Sequence, residues 1–325
     1  MPISSLERNP RLPTAFSPPS PHLGLPETEV QKGLVSVVVP CFNRAHYLRA
    51  TIDSILKQDY PHIECIVMDG GSKDGTVELL RSYGGRIRWV SEPDEGQGDA
   101  INKGWRLARG DILAWLNADD IWKTPDAVSQ AVAYFDAHPE VDVVYGICGG
   151  IDAAGNDVGN SYYHEWNLEY AVEHCDHCIP QPAAFIQRRI LERVGVVDTS
   201  YYHKMDHELW LRIGLRGTIH HIPTILAYGR FHEGNKEHQG DKIARACVQI
   251  TRRFFSSSDV PSNLRRLRTR AISNAYLRGV DYSWYQGRHW GTMFAFAARG
   301  IATDPSNSGQ ILHRLGSYLI TSMRH

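Results

Sequence analysis

The residues most able to do chemistry lie in short polar clusters that follow apolar runs. Asn117-Ala118-Asp119-Asp120 comes directly after the strand-like Ile112–Leu116. Carboxylates at such a point suit a hard divalent cation such as Mg²⁺ or Mn²⁺, which takes one or two protein acids and completes its shell with substrate phosphates. A cation there would neutralise a diphosphate as it leaves. The same acids also suit the first turn of a following helix, so both readings stand on these residues alone. A second cluster, Met68–Thr76 (MDGGSKDGT), offers Asp69, Ser72 and Asp74 as hydrogen-bonding groups for a base or ribose, and its glycines allow close backbone approach. It reads equally as a strand–turn–helix connection.

A third cluster, Glu95–Gly104 (EGQGDAINKG), carries Gln97, Asn102 and Lys103. Its Gly-x-Gly is followed by Ile101 where a dinucleotide fingerprint needs glycine or alanine, and no GxxxxGK[ST] occurs in the chain. Both points argue against dehydrogenase and P-loop chemistry. Pro40, Asn43 and Arg44 stand in the segment after the first apolar run. Further on stand four charged or titratable side chains, Asp206, Glu208, Arg230 and His232. His174-Cys175-Asp176-His177-Cys178 has a spacing that zinc could use, although no second close pair follows it.

The elements that must hold these groups alternate. Leu34–Pro40 is a β-branched run typical of a strand buried on both faces. Helical spacing follows over 46–57, strand patterns over 63–68 and 87–90, helices near 76–83, 100–108 and 126–137, and strands over 112–116 and 141–145. This order predicts an α/β fold with an open, mostly parallel sheet flanked by helices, which binds ligands beyond the carboxyl ends of its strands. All four early polar clusters fall there. The chain divides into a flexible Pro/Ser-rich leader over 1–33, a catalytic domain over 34–240 with halves meeting near residue 149, and a mostly helical extension over 241–325.

Composition sets the outer limits. The chain has 325 residues, 42% hydrophobic and 22% charged, enough for a sizeable core. Its formal net charge of −1 gives no reason to expect nucleic acid as a partner. The six cysteines are sparse and the N-terminus lacks the apolar core of an export signal, so reduced thiols in the cytoplasm are expected. The basic run Asn263–Arg270 suggests either a solvated helix face or peripheral contact with the inner face of a membrane.

The segments VSVVVPCFNRAHYLRATIDSILKQDYPHIECIVMDGGSKDGT and EGQGDAINKGWRLARGDILAWLNADD, with QPAAFIQRRILERVG and MDHELWLRIGLRG further on, resemble the family 2 glycosyltransferases of the GT-A fold. The resemblance implies an inverting enzyme that moves a sugar from a nucleoside diphosphate, UDP by family habit, to an acceptor hydroxyl in surface polysaccharide or glycan synthesis. It implies that Pro40, Asp69 and Asp74 hold the nucleoside, with Asn43, Arg44, Ser72 and Gln97 beside them, and that Asn102 and Lys103 approach the phosphates or donor sugar. Asn117 would touch sugar or ribose, Asp119 would bind the divalent cation with His232, Arg230 would contact phosphate, and Asp206 would be the base with Glu208 as its rival, although Met205 stands where the family has Glu. A non-catalytic sugar-nucleotide-binding scaffold is the alternative. The acceptor, a saccharide or a lipid-linked one, would meet residues 150–203 and the C-terminal helices, with Tyr162, Tyr163, Trp166 and Trp210 as stacking surfaces.

Overall fold

The computed structural model describes residues 29–162, 165–175, 178–234, 239–285 and 289–323, with backbone alone at 160–162 and 323. The chain opens with β1 (Gln31–Cys41), α1 (Ala45–Leu56), β2 (Ile63–Asp69), α2 (Thr76–Ser82), β3 (Arg88–Ser91), α3 (Gln97–Leu107), β4 (Gly110–Trp115) and α4 (Ala127–Ala137). It continues through β5 (Val143–Ile151), β6 (Asp157–Tyr162), α5 (Leu168–His174), β7 (Ala184–Gln187), α6 (Arg188–Val194), α7 (Met205–Gly214) and β8 (Ile219–Arg230). Five helices close the chain: α8 (Gly240–Phe254), α9 (Ser262–Arg265), α10 (Arg268–Tyr285), α11 (Trp290–Thr303) and α12 (Ser308–Met323).

One eight-stranded sheet runs β3-β2-β1-β4-β7-β5-β6, with β8 paired to β5. The β1–β2, β1–β4, β2–β3 and β5–β8 pairs are parallel, whereas β7 pairs antiparallel with both β4 and β5, and β6 antiparallel with β5. Two successive antiparallel steps across β7 restore the original direction. The carboxyl ends of β1, β2, β3, β4, β5 and β8 therefore all reach the same rim.

The pleat sends alternate residues to opposite faces. Val35, Val37 and Val39 join Leu48, Ile52 and Phe135 under α1 and α4, while Val38, Ile66 and Met68 join Trp105, Leu209 and Trp210 under α3 and α7. This is why Leu34–Pro40 reads as an apolar run interrupted only by Ser36, which is itself buried. Helix α3 lies very close to β1, since a Cβ on Gly104 would fall 2.4 Å from Val38 Cγ1.

Two boundaries differ from the sequence expectation. The first strand starts at Gln31, three residues inside the expected leader, because Gln31 N donates to Arg109 O and Gly33 N to Asp111 Oδ1. The break expected at residue 240 is not a packing boundary. Along α8, Ala246, Ile250 and Phe254 join the core beneath the sheet, while Ile243, Ala244 and Cys247 join a third core with α10, α11 and α12.

Candidate functional site

Each rim loop is braced by the side chains that make it polar. At the end of β2, Asp69 is 2% exposed and accepts from Ser91 Oγ (2.6 Å), Ser72 N (3.1 Å) and Ser72 Oγ. Ser72 Oγ also accepts from Asn43 N (2.7 Å), and Asn43 Oδ1 accepts from Lys73 N (3.0 Å). These bonds tie the loop after β1 to the loop after β2 and hold Asn43 at φ +51°. Asp74 closes the same tie by accepting from Ala45 N, Thr76 N and Thr76 Oγ1. Partial burial would raise its carboxyl pKa, but these donors outweigh burial and hold it below the usual carboxylate range. Pro40 lies inside β1 opposite Met68, so only its backbone borders the rim.

Beyond β4, the Asn117 amide is a junction. Its Oδ1 accepts from Gln97 Nε2 (2.6 Å), and its Nδ2 donates to Asp120 Oδ2 (2.8 Å) and Gln181 Oε1 (3.2 Å). Asp120 is buried, and its second oxygen accepts from Arg230 N (3.1 Å). Of the two adjacent acids, Asp120 thus builds the loop and Asp119 faces outward with a partly exposed side chain. Asp119 Oδ2 lies 2.9 Å from His232 Nε2 and 4.0 Å from Arg44 Nε. The His232 ring stacks on Tyr47 at 4.8 Å.

The donors fit a cation shared with a substrate better than a caged one. Two ligands on adjacent corners of an octahedral shell of about 2.1 Å stand about 3 Å apart, close to the Asp119–His232 separation. No group of three or more His, Cys, Asp or Glu side chains converges among the described residues, so phosphate oxygens would have to complete the shell. His232 Nδ1 accepts from Gly234 N at 3.1 Å, which leaves the ring proton on Nε2, directed at Asp119. In this arrangement the imidazole orients the carboxylate; ligation through Nε2 would require the Gly234 turn to move.

The turn before α7 faces the same edge. A Cβ on Gly98 would lie 3.4 Å from Met205 Sδ, and one on Gly96 would lie 4.0 Å from the Tyr202 ring, so the start of α7 packs against the start of α3 beside Gln97. Between His203 and Ile213, Asp206 alone is not buried. Glu208, its rival, is 1% exposed and locked to Arg212 by two 2.8 Å contacts, with Arg212 also bound to the carbonyls of Val194, Gly195 and Val196. Glu208 is a structural ion and unavailable as a base.

Several sequence expectations are corrected by this geometry. Asn102 is buried and pairs through both amide atoms with the backbone of Val197, so it braces α3 and offers nothing to a phosphate. Lys103 is held to the loop after β3 and to its own helix by Glu92, Asp99 and Pro93 O. The buried Arg230 guanidinium binds the carbonyls of Asp119, Asp152 and Ala153 over the Tyr47 ring, which makes it a clamp for the acidic turn. Trp210 is buried in a stack with Trp115, and Trp166 packs on Gly214. The side chain of Tyr162, and Tyr163 entirely, lie outside the description. So do Asp176 and His177; Cys175 and Cys178 sit in separate cores, so the spacing that zinc could use does not bring these thiols together. Two rim residues had no assigned role from sequence, Tyr47 and Gln181. Tyr47 is one helical turn past Asn43, and Gln181 carries no local signal.

The comparisons agree with this architecture. The model of "Glycosyl transferase family 2" matches residues 36–195. An uncharacterized glycosyltransferase of Mycobacterium tuberculosis is 30% identical over 277 residues, covering 80% of this chain and 96% of that protein. One from Rickettsia typhi is 27% identical over 208 residues, 62% of this chain, and the chain spans 64% of that protein's own length. Among solved structures, S. aureus TarS 1-349 in complex with UDP-GlcNAc superposes with a TM-score of 0.64 at 17% identity, covering 86% of this chain and 83% of that one. The mannosyltransferase PcManGT from Pyrobaculum calidifontis, in complex with GDP-Man and Mn²⁺, has a TM-score of 0.56 at 19% identity and covers 89% and 86%. The chain belongs to the family 2 glycosyltransferases and has the GT-A fold.

Proposed function

We propose that this protein transfers a sugar, with inversion, from a nucleoside diphosphate to an acceptor hydroxyl in surface polysaccharide synthesis. UDP is the nucleotide favoured by family habit, and the structural neighbours hold UDP-GlcNAc or GDP-Man. The observation that carries the proposal is one outward carboxylate at the end of β4, oriented by His232 and Arg44, with one unburied acid, Asp206, on the neighbouring α7 turn.

In this reading the braced loops after β1 and β2 form the nucleoside edge, with the exposed Asn43 and the half-buried Ser72 as its polar groups. Arg44 lies beside Asp119 where a diphosphate would bring negative charge, and its guanidinium suits that charge. Asp119 would hold a divalent cation, which when bound neutralises the departing diphosphate. Gln97 and Asn117 hydrogen-bond to each other next to Asp119 and would orient the donor sugar. Asp206 takes the proton from the acceptor hydroxyl as the anomeric carbon develops oxocarbenium character; a single carboxylate suffices for inversion.

The test pairs binding with turnover. Donor affinity is measured by calorimetry with and without Mn²⁺, and transfer by product formation across candidate acceptors. Asp206→Asn is expected to lower transfer by about 10³-fold with donor affinity within about twofold. Asp119→Asn is expected to remove the Mn²⁺ enhancement of donor binding. Full turnover by the Asp206→Asn enzyme would refute the base assignment, and donor binding with no turnover by the unmodified protein on any acceptor would favour a scaffold.

A further inference from the structure

The charge of this chain is unevenly distributed. From Pro261 to His325 there are nine arginines, no lysine and only two acids, Asp281 and Asp304, in a chain whose total formal charge is −1. The C-terminal helices therefore carry a surplus of seven positive charges, and the remainder carries the compensating negative excess. Both acids are buried at the surface of the third core. Asp281 is bound to Tyr318 Oη (2.7 Å) and Arg314 (3.5 Å), and Asp304 to Arg270 (2.8 Å) and Ser306. No carboxylate among the described residues of this module is left exposed, whereas Arg268, Arg299 and Arg314 are.

The same module keeps large apolar side chains in solvent. Helix α12 directs Ile311, Leu315 and Tyr318 into the third core, yet Leu312 (57% exposed), Leu319 (42%) and Ile320 (56%) form a second apolar strip on its flank. Positions 312, 319 and 320 recur at the spacing of one helical face. On α11, Met293, Phe296 and Ala297 point inward while Phe294 is 49% exposed beside the small residues Ala295 and Ala298. Exposed apolar strips set among arginines, with no acid between them, are the composition of a helix lying in a membrane interface. No helix of the described residues is long and apolar enough to cross a membrane.

We propose that the α11–α12 hairpin docks this enzyme peripherally on an anionic lipid surface. Leu312, Leu319, Ile320 and Phe294 enter the headgroup–acyl boundary, and Arg268 and Arg299 meet lipid phosphates. A second copy of the chain is disfavoured as the occupant, because it would bring two modules of like charge together. Of the basic run 263–270, only Arg268 takes part in this surface. Arg265 caps the carbonyls of Ser257, Ser258 and Val260, Arg266 pairs with Glu169, and Arg270 pairs with Asp304.

The inference does not rest on the transferase reading, and its test needs no sugar nucleotide. The full chain is floated with vesicles of phosphatidylglycerol and phosphatidylcholine, and with phosphatidylcholine alone. Binding to the anionic vesicles is expected to be about tenfold stronger or more, and to fall at high salt. The combined variant Leu312→Ser, Leu319→Ser, Ile320→Ser is expected to lose about tenfold or more of that binding with an unchanged circular dichroism spectrum. Arg268→Gln with Arg299→Gln provides an independent arm that leaves the helix cores alone and should reduce the preference for anionic lipid. Equal binding to both vesicle types, or full binding by the serine variant, overturns the proposal. So does concentration-dependent self-association that the serine variant abolishes while vesicles bind neither protein; that result would assign the strip to a second copy.

Discussion

Two acids two positions apart on α7 have opposite surroundings, and the difference follows from helical geometry. Residues i and i+2 project about 200° apart, so Asp206 reaches solvent on the turn that faces α3 while Glu208 points inward to Arg212. Removing one partner of a buried ion pair leaves the other charge unpaired. Glu208→Gln is therefore expected to cost about 3 kcal/mol of stability, measured by urea denaturation. Asp206→Asn, at a partly exposed first-turn position, should cost less than about 1 kcal/mol. Equal losses in the two variants would mean that Asp206 is also structural. The family resemblance and the two-residue offset together gave a preference for Asp206; the reason Glu208 is excluded is a tertiary ion pair that no local pattern announces.

At the scale of elements, a buried acid away from the rim joins the edge strands to the loop after α3. Glu64 in β2 accepts from Ser36 Oγ (2.6 Å) and Arg109 N (2.6 Å), and pairs with the guanidinium groups of Arg88 and Arg109. Burial would raise its pKa, but the hydrogen bonds from Ser36, Arg109 N and Arg88 outweigh it, and the folded value lies below the ordinary one. A depressed folded pKa contributes stability above the unfolded value, near 4.3 for Glu, and loses it as pH falls through the folded value. Glu64→Gln should thus lower the melting temperature clearly at pH 7 and progressively less as the pH is brought below about 4. A destabilisation that is the same at pH 7 and at acid pH would assign the role of Glu64 to shape and not charge. Periodicity predicted the strands and helices up to Tyr145 to within a few residues, because buried strands and amphipathic helices repeat their apolar residues at different intervals. It missed the start of β1 at Gln31, where Gln31 N donates to Arg109 O and Gly33 N to the Asp111 carboxylate, contacts that apolar periodicity does not record.

At the scale of the whole molecule, the catalytic fold and the C-terminal helices are one packing unit. Helix α8 has one face in each core, and Lys204 forms a second joint. This buried residue, at φ +61° just before α7, lies close to Tyr282 of α10 and to the thiols of Cys175 and Cys247. Burial would lower its pKa, yet the surrounding tyrosine, thiols and Asp206 raise it, so the ammonium stays charged. Thermal unfolding is expected to show a single transition, coincident by far-ultraviolet circular dichroism and tryptophan fluorescence. Two separated transitions would show that the helical extension folds alone.

The sequence by itself determined the alternation of strands and helices, the loops that carry polar clusters, and the family, because these depend on periodicity and on residues close together in the chain. Only the tertiary structure decided which member of each cluster faces outward. Asp119 is free to face the rim because Asp120 is held by Asn117 and Arg230, and His232 reaches Asp119 from more than a hundred residues away because β8 runs parallel to β5. Asn102, Arg230 and Trp210 carry the right chemistry for a ligand, but their partners lie in distant segments. Their polar atoms or aromatic faces are occupied within the fold, and sequence spacing holds no record of those contacts.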